Sequence, residues 1–371
     1  MLRAFRVLPI AVWFLIAGIL PDPASTSARQ ASPDPKPVSP RPETALSLPS
    51  RVFVPVVNKA VFSANPGTGS GTGNSAVQAV ALGAYVHNFP YYGDVPGFFN
   101  LIGRNLAVLM WYRPWGPAQF SGFHPEDLED AYSLGAVPLI TWEPWNWDDP
   151  RGPNQPEYAL RNIVAGNFAD YIRSWARGAK AFGRPFYLRF AHEMNGYWYP
   201  WGAGVNGNRP EEYIAAWRRI HAIFAAEGAT NVRWVWTPNI DDQAVPLEAF
   251  YPGDAYVYVV GMDGYNGWTA LPDWGGWRSA AEIFGRTYAK LTALTDKPII
   301  IAETASAEAG GDKATWIRET FSAIPELFPR VRAVIWFNAN KETDWRVNSS
   351  PASLAAFREA VASPVYQGRL P

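Results

Sequence analysis

The chain has 371 residues, of which 48% are apolar and 18% are charged, and its formal net charge is −1. This composition fits one large folded domain and excludes the basic surface expected of a nucleic-acid-binding protein. It also leaves few ligands for zinc, because there is no Cys and the only histidines are His87, His124, His192 and His221. We therefore expect no zinc site and no cofactor, with a bound structural ion as the alternative.

The N-terminus has the layout of a secretory signal peptide. Arg3 and Arg6 precede an apolar run from Val7 to Leu20, and small residues follow through Ala28. A run of this length is short for a transmembrane helix. We predict a signal peptide over residues 1–28 and a secreted or extracytoplasmic protein, with a retained anchor as the alternative.

Residues 29–76 have the composition of a linker and a poorly defined N-terminal segment. Six prolines lie between Arg29 and Ser50, and Pro66 to Ser75 is built mainly of Gly, Ser and Thr. Such compositions are typical of extended, solvated chain. We predict that the folded domain covers residues 77–371.

Short apolar runs then alternate with helical patterns, which predicts βα units and a parallel sheet. The eight candidate strands are Ala81 to Val86, Leu106 to Trp111, Val137 to Trp142, Phe186 to Ala191, Val232 to Trp236, Val257 to Met262, Pro298 to Ala302 and Ala333 to Phe337. The helical patterns are Ile163 to Ala181, Pro210 to Glu227, Ser279 to Leu294, Lys313 to Ile324 and Pro351 to Ala362. Eight strands over close to the ~250 residues of a typical barrel favour an α/β fold, the (β/α)8 TIM barrel. A doubly wound sheet is the alternative, but no glycine-rich phosphate loop follows the first strand.

Polar and aromatic residues gather where the candidate strands end. In a TIM barrel the functional residues lie at the carboxyl ends of the strands, so these side chains should surround one central mouth. They are His87, Trp111 with Arg113, Trp142 with Glu143, His192 with Glu193, Asn239, Asp263 with Tyr265, Glu303, and Asn338.

Two carboxylates stand out, because each follows a nearly all-apolar strand. Glu193 precedes the aromatic segment Tyr197 to Gly202, and Glu303 comes 110 residues later, which assigns the pair to strands four and seven. Two carboxyl groups about 5 to 5.5 Å apart are the geometry of a retaining glycosidase, and aromatic faces stack on sugar rings. The alternative for either carboxylate is a structural salt bridge with Arg189 or Lys297.

The adjacent His192 and Glu193 raise the question of a zinc protease. That motif needs two His four positions apart on one helix. The residue four positions after His192 is Gly196. We therefore predict no metal site here.

Two longer motifs carry a resemblance to a known family. The run Arg189-Phe190-Ala191-His192-Glu193-Met194-Asn195-Gly196, continued by Trp198-Tyr199-Pro200-Trp201-Gly202, closely resembles the acid/base signature of glycoside hydrolase family 26. Lys297-Pro298-Ile299-Ile300-Ile301-Ala302-Glu303-Thr304 resembles its nucleophile strand. The resemblance covers Ala81 to about Arg358 and implies a retaining (β/α)8 hydrolase. Members are mostly endo-β-1,4-mannanases, with some mixed-linkage β-glucanases and β-xylanases.

Carried over by residue, the resemblance makes Glu193 the general acid/base and Glu303 the nucleophile. His192 would contact the sugar or hold Glu303, with a packed core histidine as the alternative. Tyr265 matches a tyrosine that donates a hydrogen bond to the nucleophile, with a place in the barrel wall as the alternative.

Aromatic and polar residues are the further candidates for substrate binding. The stacking platforms implied by the resemblance are Trp198, Trp142 and Trp336, with Trp336 under the sugar that is cleaved. His87 and Asn239 are further candidates. Tryptophans of the loops could line outer subsites or pack the loops: Trp145, Trp147, Trp268 and Trp274.

The expected substrate is β-1,4-mannan, cleaved by a secreted, monomeric, retaining endo-β-glycanase. Mixed-linkage β-glucan and β-xylan are the alternatives, because Trp142-Glu143-Pro144-Trp145 looks more like the glucanase-type or uncharacterised bacterial branches than like the best-known mannanases. A non-catalytic carbohydrate-binding protein would not need both carboxylates, and a metal-dependent deacetylase would need more His. We expect no nucleic-acid partner and no stable membrane insertion after signal cleavage.

Overall fold

The computed structural model describes residues 79–91, 93–241, 243–267 and 276–371. The predicted signal peptide, the linker and the domain boundary at residue 77 lie outside these residues, as do Trp268 and Trp274. None of the helices in the described ranges combines the length and the apolar character that a membrane span requires.

Eight parallel strands close into a barrel in chain order, with β1 hydrogen-bonded to both β2 and β8. The predicted (β/α)8 barrel is confirmed. The strands are β1 Ala81–Val86, β2 Val108–Gly116, β3 Val137–Asn146, β4 Phe186–Phe190, β5 Val232–Trp236, β6 Val259–Asp263, β7 Ile299–Thr304 and β8 Val331–Asn338.

Helices follow most strands and surround the barrel. They are α1 Val95–Ile102, α2 Ala118–Ser121, α3 Pro125–Ser133, α4 Leu160–Ala165, α5 Ala169–Phe182, α6 Pro210–Glu227, α7 Ala280–Leu294, α8 Lys313–Leu327 and α9 Pro351–Val361. Short 3₁₀ turns occupy Pro156–Tyr158, Val205–Gly207, Leu247–Phe250, Asp254–Tyr256 and Pro364–Gln367. Local sequence explains several starts: Ser279 and Glu282 form a capping box at α7, and Ser350 caps α9 ahead of Pro351.

The structure differs from the predicted elements in three ways. Strands β2 and β3 run to Gly116 and Asn146, beyond the predicted ends at Trp111 and Trp142. The predicted helix from Ile163 to Ala181 is two helices, because Gly166 adopts a left-handed φ of 97° and ends α4. Helices α1 to α3 were not predicted; they have 8, 4 and 9 residues, too few for a clear period of apolar positions.

Side chains alternate between the inside of the barrel and the layer beneath the helices. On β7, Ile300 and Ala302 belong to the inner apolar cluster, whereas Ile299 and Ile301 belong to the cluster shared with the helices. This alternation follows from the two-residue period of a strand. It decides which strand residues can reach the central mouth.

Candidate active site

β4 ends in an irregular turn that presents His192 and Glu193. Ala191 and Glu193 have left-handed φ values of 45° and 53°, which cost about 1–3 kcal/mol each in a residue other than glycine. Neighbouring strands hold the turn: the Ala191 amide donates to the Trp142 carbonyl at 3.0 Å, and the Glu193 amide donates to the Thr237 carbonyl at 2.8 Å. The strained backbone therefore fixes two consecutive side chains that are candidates for function.

The Glu193 carboxyl accepts hydrogen bonds from two uncharged donors. Trp198 Nε1 donates to Oε2 and Asn239 Nδ2 donates to Oε1, both at 2.7 Å. Burial, followed by the charge of Glu303, raises the pKa of Glu193 to about 7, while the two hydrogen bonds and Arg189 oppose the rise. A carboxyl group with this pKa can donate a proton near neutral pH.

Glu303 reaches the site through an interruption in the register of β7. The pairing shifts between Met262 and Asp263 on the β6 side, and between Ile301 and Thr304 on the β8 side. Such irregularities re-aim side chains. Ala302 already points inward, and the shift allows the adjacent Glu303 to meet inward-facing partners as well.

Arg189 lies fully buried inside the barrel and pairs with two carboxylates. Its guanidinium contacts Glu303, donates to Asp263 Oδ2 at 2.8 Å, and donates twice to Thr141 Oγ1 at 2.7 and 2.9 Å. The Tyr265 hydroxyl donates to Glu303 Oε2 at 2.6 Å. The salt bridge considered for Glu303 is therefore present, within the same cluster as the mouth residues.

His192 is buried between two carboxyl groups. Its Nδ1 lies 3.9 Å from Glu143 Oε1, and its Nε2 lies 3.8 Å from Glu303 Oε1. Within the described ranges, neither ring nitrogen has a hydrogen-bond partner. Burial, followed by the charge of Arg189, lowers the pKa of His192 well below its usual range, so the ring is neutral. A neutral imidazole has one donor and one acceptor to offer a hydroxyl-rich ligand.

Ligand atoms of His192, Asp263 and Glu303 lie within 4.8 Å of one another. The Arg189 guanidinium contacts both of these carboxylates. Its positive charge repels a divalent cation at this distance. The donor set therefore fits a metal poorly.

Glu143 adds a second carboxyl group with a raised pKa. Trp145 Nε1 donates to its Oε2 at 3.2 Å. Burial raises the pKa of Glu143 to about 8, and the charge of Glu303 contributes to the rise against the lowering effects of Trp145 and Lys341. A protonated carboxyl group here can donate to a hydroxyl as well as accept from one.

The segment between β4 and α6 forms an aromatic wall beside these groups. The ring of Tyr199 stacks on Trp201 with centroids 4.4 Å apart, and it lies 4.8 Å from the ring of His192. Trp198 is half-buried, whereas 63% of Tyr197 is exposed. Carboxyl groups, a neutral imidazole and aromatic faces together suit a ligand that is polar at its edges and apolar on its faces, as a sugar is.

The sequence profile of glycosyl hydrolase family 26 matches residues 143–328, half of the chain, including both carboxylates. The chain belongs to this family. It is 42% identical over 287 residues to endoglucanase H of Acetivibrio thermocellus, covering 76% of this chain and 30% of that protein. It is also 30% identical over 180 residues to mannan endo-1,4-β-mannosidase of Bacillus subtilis, covering 46% of this chain and 43% of that protein. The chain thus spans less than half the length of either relative.

Solved family 26 structures have the same fold. The catalytic domain of the Bacillus sp. JAMB-750 endo-β-1,4-mannanase matches with a TM-score of 0.60 and 19% identity, covering 79% of this chain and 88% of that one. A β-mannanase from Bacteroides ovatus matches with a TM-score of 0.58 and 20% identity, covering 78% and 90%. At this identity the likeness establishes the barrel alone.

The structure corrects two of the stacking platforms expected for family 26. Trp142 is fully buried outside the barrel, where its centroid lies 4.7 Å from that of Trp175 on α5. Trp336 is also fully buried, packs against Phe357 of α9, and donates from Nε1 to the Trp345 carbonyl. Both side chains point towards the helices because strand residues alternate, so neither is available to a sugar.

The other predicted residues lie in different settings. Asn239 contacts the Glu193 carboxyl rather than open space. His87 is exposed at the end of β1, near the Tyr85 hydroxyl. Asn338 accepts a bond from the Val347 amide, and Arg113 bonds the Phe120 carbonyl and pairs with Asp127, so both fasten loops.

Two further residues support the site: Arg189, predicted from sequence only as a possible salt-bridge partner, and Asn195, for which the sequence predicts no role of its own. Asn195 exchanges two hydrogen bonds with the backbone of Asn239, at 2.9 and 3.0 Å, and so holds the amide that contacts Glu193. One signal was available for Arg189: a charged residue inside an apolar strand must be paired when it is buried. Asn195 carried no comparable signal.

Proposed function

We propose that this protein is a retaining endo-β-glycanase in which Glu193 is the general acid/base and Glu303 is the nucleophile. One observation carries the proposal: Glu193 is met by uncharged donors, whereas Glu303 is met by a guanidinium. Glu193 has only uncharged donors and a pKa of about 7. Glu303 contacts the Arg189 guanidinium and accepts from Tyr265.

In the first step, Glu303 attacks the anomeric carbon while Glu193 gives its proton to the departing glycosidic oxygen. A covalent glycosyl-enzyme forms and the shortened glycan leaves. In the second step, Glu193 removes a proton from water, which displaces Glu303 from the sugar. Configuration at the anomeric carbon is retained because it is inverted twice.

We propose a β-1,4-linked glucan, including mixed-linkage β-glucan, as the first substrate to test. The relative that aligns over 76% of this chain is named endoglucanase H. The segment from Trp142 to Trp145 also looks more like the glucanase-type or uncharacterised bacterial branches than like the best-known mannanases. β-Mannan, the substrate expected from sequence, is the second candidate. It is supported by the mannosidase relative, whose alignment covers 46% of this chain.

Reducing-end release from barley β-glucan, carboxymethylcellulose, galactomannan and xylan tests both candidates. Glucan cleavage with little mannan cleavage supports the first candidate, and the reverse supports the second. Proton NMR of the first product should show the β anomer. An α product, or a wild-type protein inert on all four polymers, contradicts the proposal.

We further propose that the enzyme acts outside the cytoplasm, on the basis of the signal-peptide layout of residues 1–28. We also propose that it is a monomer, because one chain closes the barrel and supplies both glutamates. Fractionation of an expressing culture and size-exclusion chromatography with light scattering measure both points. Activity confined to the cytoplasm, or a stable dimer, contradicts them.

A further inference from the structure

A buried lysine fastens the loop between β8 and α9. Lys313 begins α8, and only 1% of it is exposed. Its ammonium donates to the carbonyl oxygens of Asp344 and Arg346 at 3.1 and 2.9 Å, and to Ser349 Oγ at 2.7 Å. Three points on one loop are thus tied to the start of a rigid helix.

Burying the Lys313 ammonium costs free energy, which its hydrogen bonds to the loop must offset. Burial lowers the pKa of Lys313 to about 8, although the charges of Glu308 and Asp344 favour the ammonium form; Arg346 opposes it. Glu308 accepts hydrogen bonds from Ser349 and from Ser353 of α9. A lysine is rarely buried without such partners.

The two carbonyls held by Lys313 belong to the residues on either side of Trp345. The Trp345 carbonyl accepts from Trp336 Nε1 at 3.0 Å, and its amide donates to the Ala339 carbonyl at 2.9 Å. The backbone of Trp345 is therefore fixed from the helix and from the barrel.

The fixed indole reaches the active site through one further contact. The ring of Trp345 is buried and lies 5.1 Å from the ring of Tyr265. Tyr265 donates to Glu303 at 2.6 Å. Contacts thus run from the Lys313 ammonium, through the loop and Trp345, to the carboxylate proposed as nucleophile.

We propose that Lys313 is a positioning residue: its ammonium clamps the β8–α9 loop so that Trp345 holds Tyr265 in hydrogen-bonding contact with Glu303. The inference rests on the proposed function only for the role of Glu303. The clamp itself is a property of the loop and is measurable without substrate.

The first test compares Lys313→Met with Lys290→Met. Lys290 lies on α7 and pairs with Asp241 and Glu248, away from this loop, so it controls for loss of a partly buried ammonium. Lys313→Met should speed amide hydrogen exchange across residues 339–350 at least tenfold, whereas Lys290→Met should leave that segment unchanged. Equal exchange in wild type and Lys313→Met would overturn the clamp, whether or not the protein cleaves a glycan.

The second test measures catalysis. Lys313→Met should lower kcat about tenfold or more with a smaller change in KM. In a Tyr265→Phe background, which lacks the hydroxyl, the same substitution should cost less than threefold. Equal losses in both backgrounds would overturn positioning through Tyr265. A wild-type protein that cleaves no glycan contradicts the proposed function instead, and the exchange experiment still judges the clamp.

Chemical rescue gives a third readout. Lys313→Ala leaves a space bordered by two carbonyls and a hydroxyl, within the field of the Glu308 charge, which suits a small cation. Methylammonium should restore kcat several-fold, and tetramethylammonium at equal ionic strength should not. Equal effects of the two salts would count against the clamp. If Lys313→Ala does not fold, Ser349→Ala, which removes one acceptor, should still speed exchange across residues 339–350.

Discussion

The carboxyl ends of β4 and β7 each carry one glutamate, and the surroundings of the two glutamates differ in charge. At β4, uncharged groups surround Glu193: an indole N–H, a side-chain amide and apolar surface. At β7, a guanidinium and a phenol meet Glu303. Both residues are buried, at 7% and 4% exposure, so burial alone does not separate them. The charge of the neighbouring side chains is what distinguishes the two glutamates.

This difference supports the roles proposed for the two residues, Glu193 as acid and Glu303 as nucleophile. A buried carboxyl group keeps its proton unless charged partners stabilise the anion. Arg189 lies within direct contact of Glu303 but only weakly offsets the pKa rise of Glu193. The charge of Glu303 adds to the rise in the pKa of Glu193, which has the weaker cationic support of the two.

The most damaging change should be Glu303→Ala. Removing a nucleophile that forms a covalent intermediate costs on the order of 10⁴-fold or more in kcat. Stopped reducing-end assays on the best polymer from the panel measure this, with the exposed Glu359→Ala as control. Retention of more than a hundredth of wild-type activity in Glu303→Ala would exclude Glu303 as the nucleophile.

Glu193→Ala should cost less, and its cost should depend on the leaving group. General acid catalysis contributes about 10²–10⁴-fold for a sugar leaving group that needs a proton. The leaving group of a dinitrophenyl β-glycoside is dinitrophenolate, which departs without a proton. The glycosylation step of this substrate should therefore slow far less. Burst kinetics separate that step from hydrolysis of the glycosyl-enzyme. Equal losses of the glycosylation rate on both substrates would contradict the acid role.

In the wild type, kcat/KM should fall as the pH rises through about 7, because Glu193 must be protonated and its pKa is about 7. Trp198→Phe removes a donor that stabilises the ionised form, so the pKa should rise. We expect the alkaline limb to move up by about 1 unit or less. Tyr197→Phe, which keeps the neighbouring ring, is the matched control and should not move it. An alkaline limb that is unchanged or lowered in Trp198→Phe would contradict this account of Glu193.

The barrel could be predicted because its signal repeats eight times. Apolar runs, intervening helical patterns and polar strand ends all follow from burial, and β1 and β5 were predicted to the residue. The bounds of helix α6, Pro210–Glu227, were also predicted to the residue. What failed was the direction of side chains. Trp142 and Glu143 are consecutive on β3, so only one can face the mouth, whereas both are predicted there from sequence.

The positions of the two glutamates do not follow from the alternation of side chains along a strand. Glu303 follows the inward-facing Ala302, and it reaches the site only because the register of β7 shifts. Glu193 follows the buried His192 in a turn where Ala191 and Glu193 itself have left-handed backbone conformations. Both were found because they are carboxylates after apolar strands. Register shifts and strained turns depend on neighbouring strands, which local sequence does not encode.

The smallest expected effect concerns Glu143 on β3. Like Glu193 after β4, it is buried and accepts a hydrogen bond from an indole N–H. Its pKa of about 8 in the folded protein lies above the usual 4.5, chiefly because of burial. The folded form keeps a proton that the unfolded chain releases above about pH 4.5. The stability from this group is therefore full below about pH 4.5 and is lost as the pH rises towards 8.

Glu143→Gln should remove that loss, because glutamine does not titrate. Calorimetric Tm values measured from pH 5 to 8 should fall more steeply for wild type than for Glu143→Gln, by an amount on the order of a few degrees. Glu193 contributes in the same direction in both proteins, through its own pKa of about 7, so the difference between the curves isolates Glu143. Parallel curves would mean that Glu143 is ionised in the folded protein, and that Trp145 and Lys341 stabilise its charge as Arg189 and Tyr265 stabilise that of Glu303.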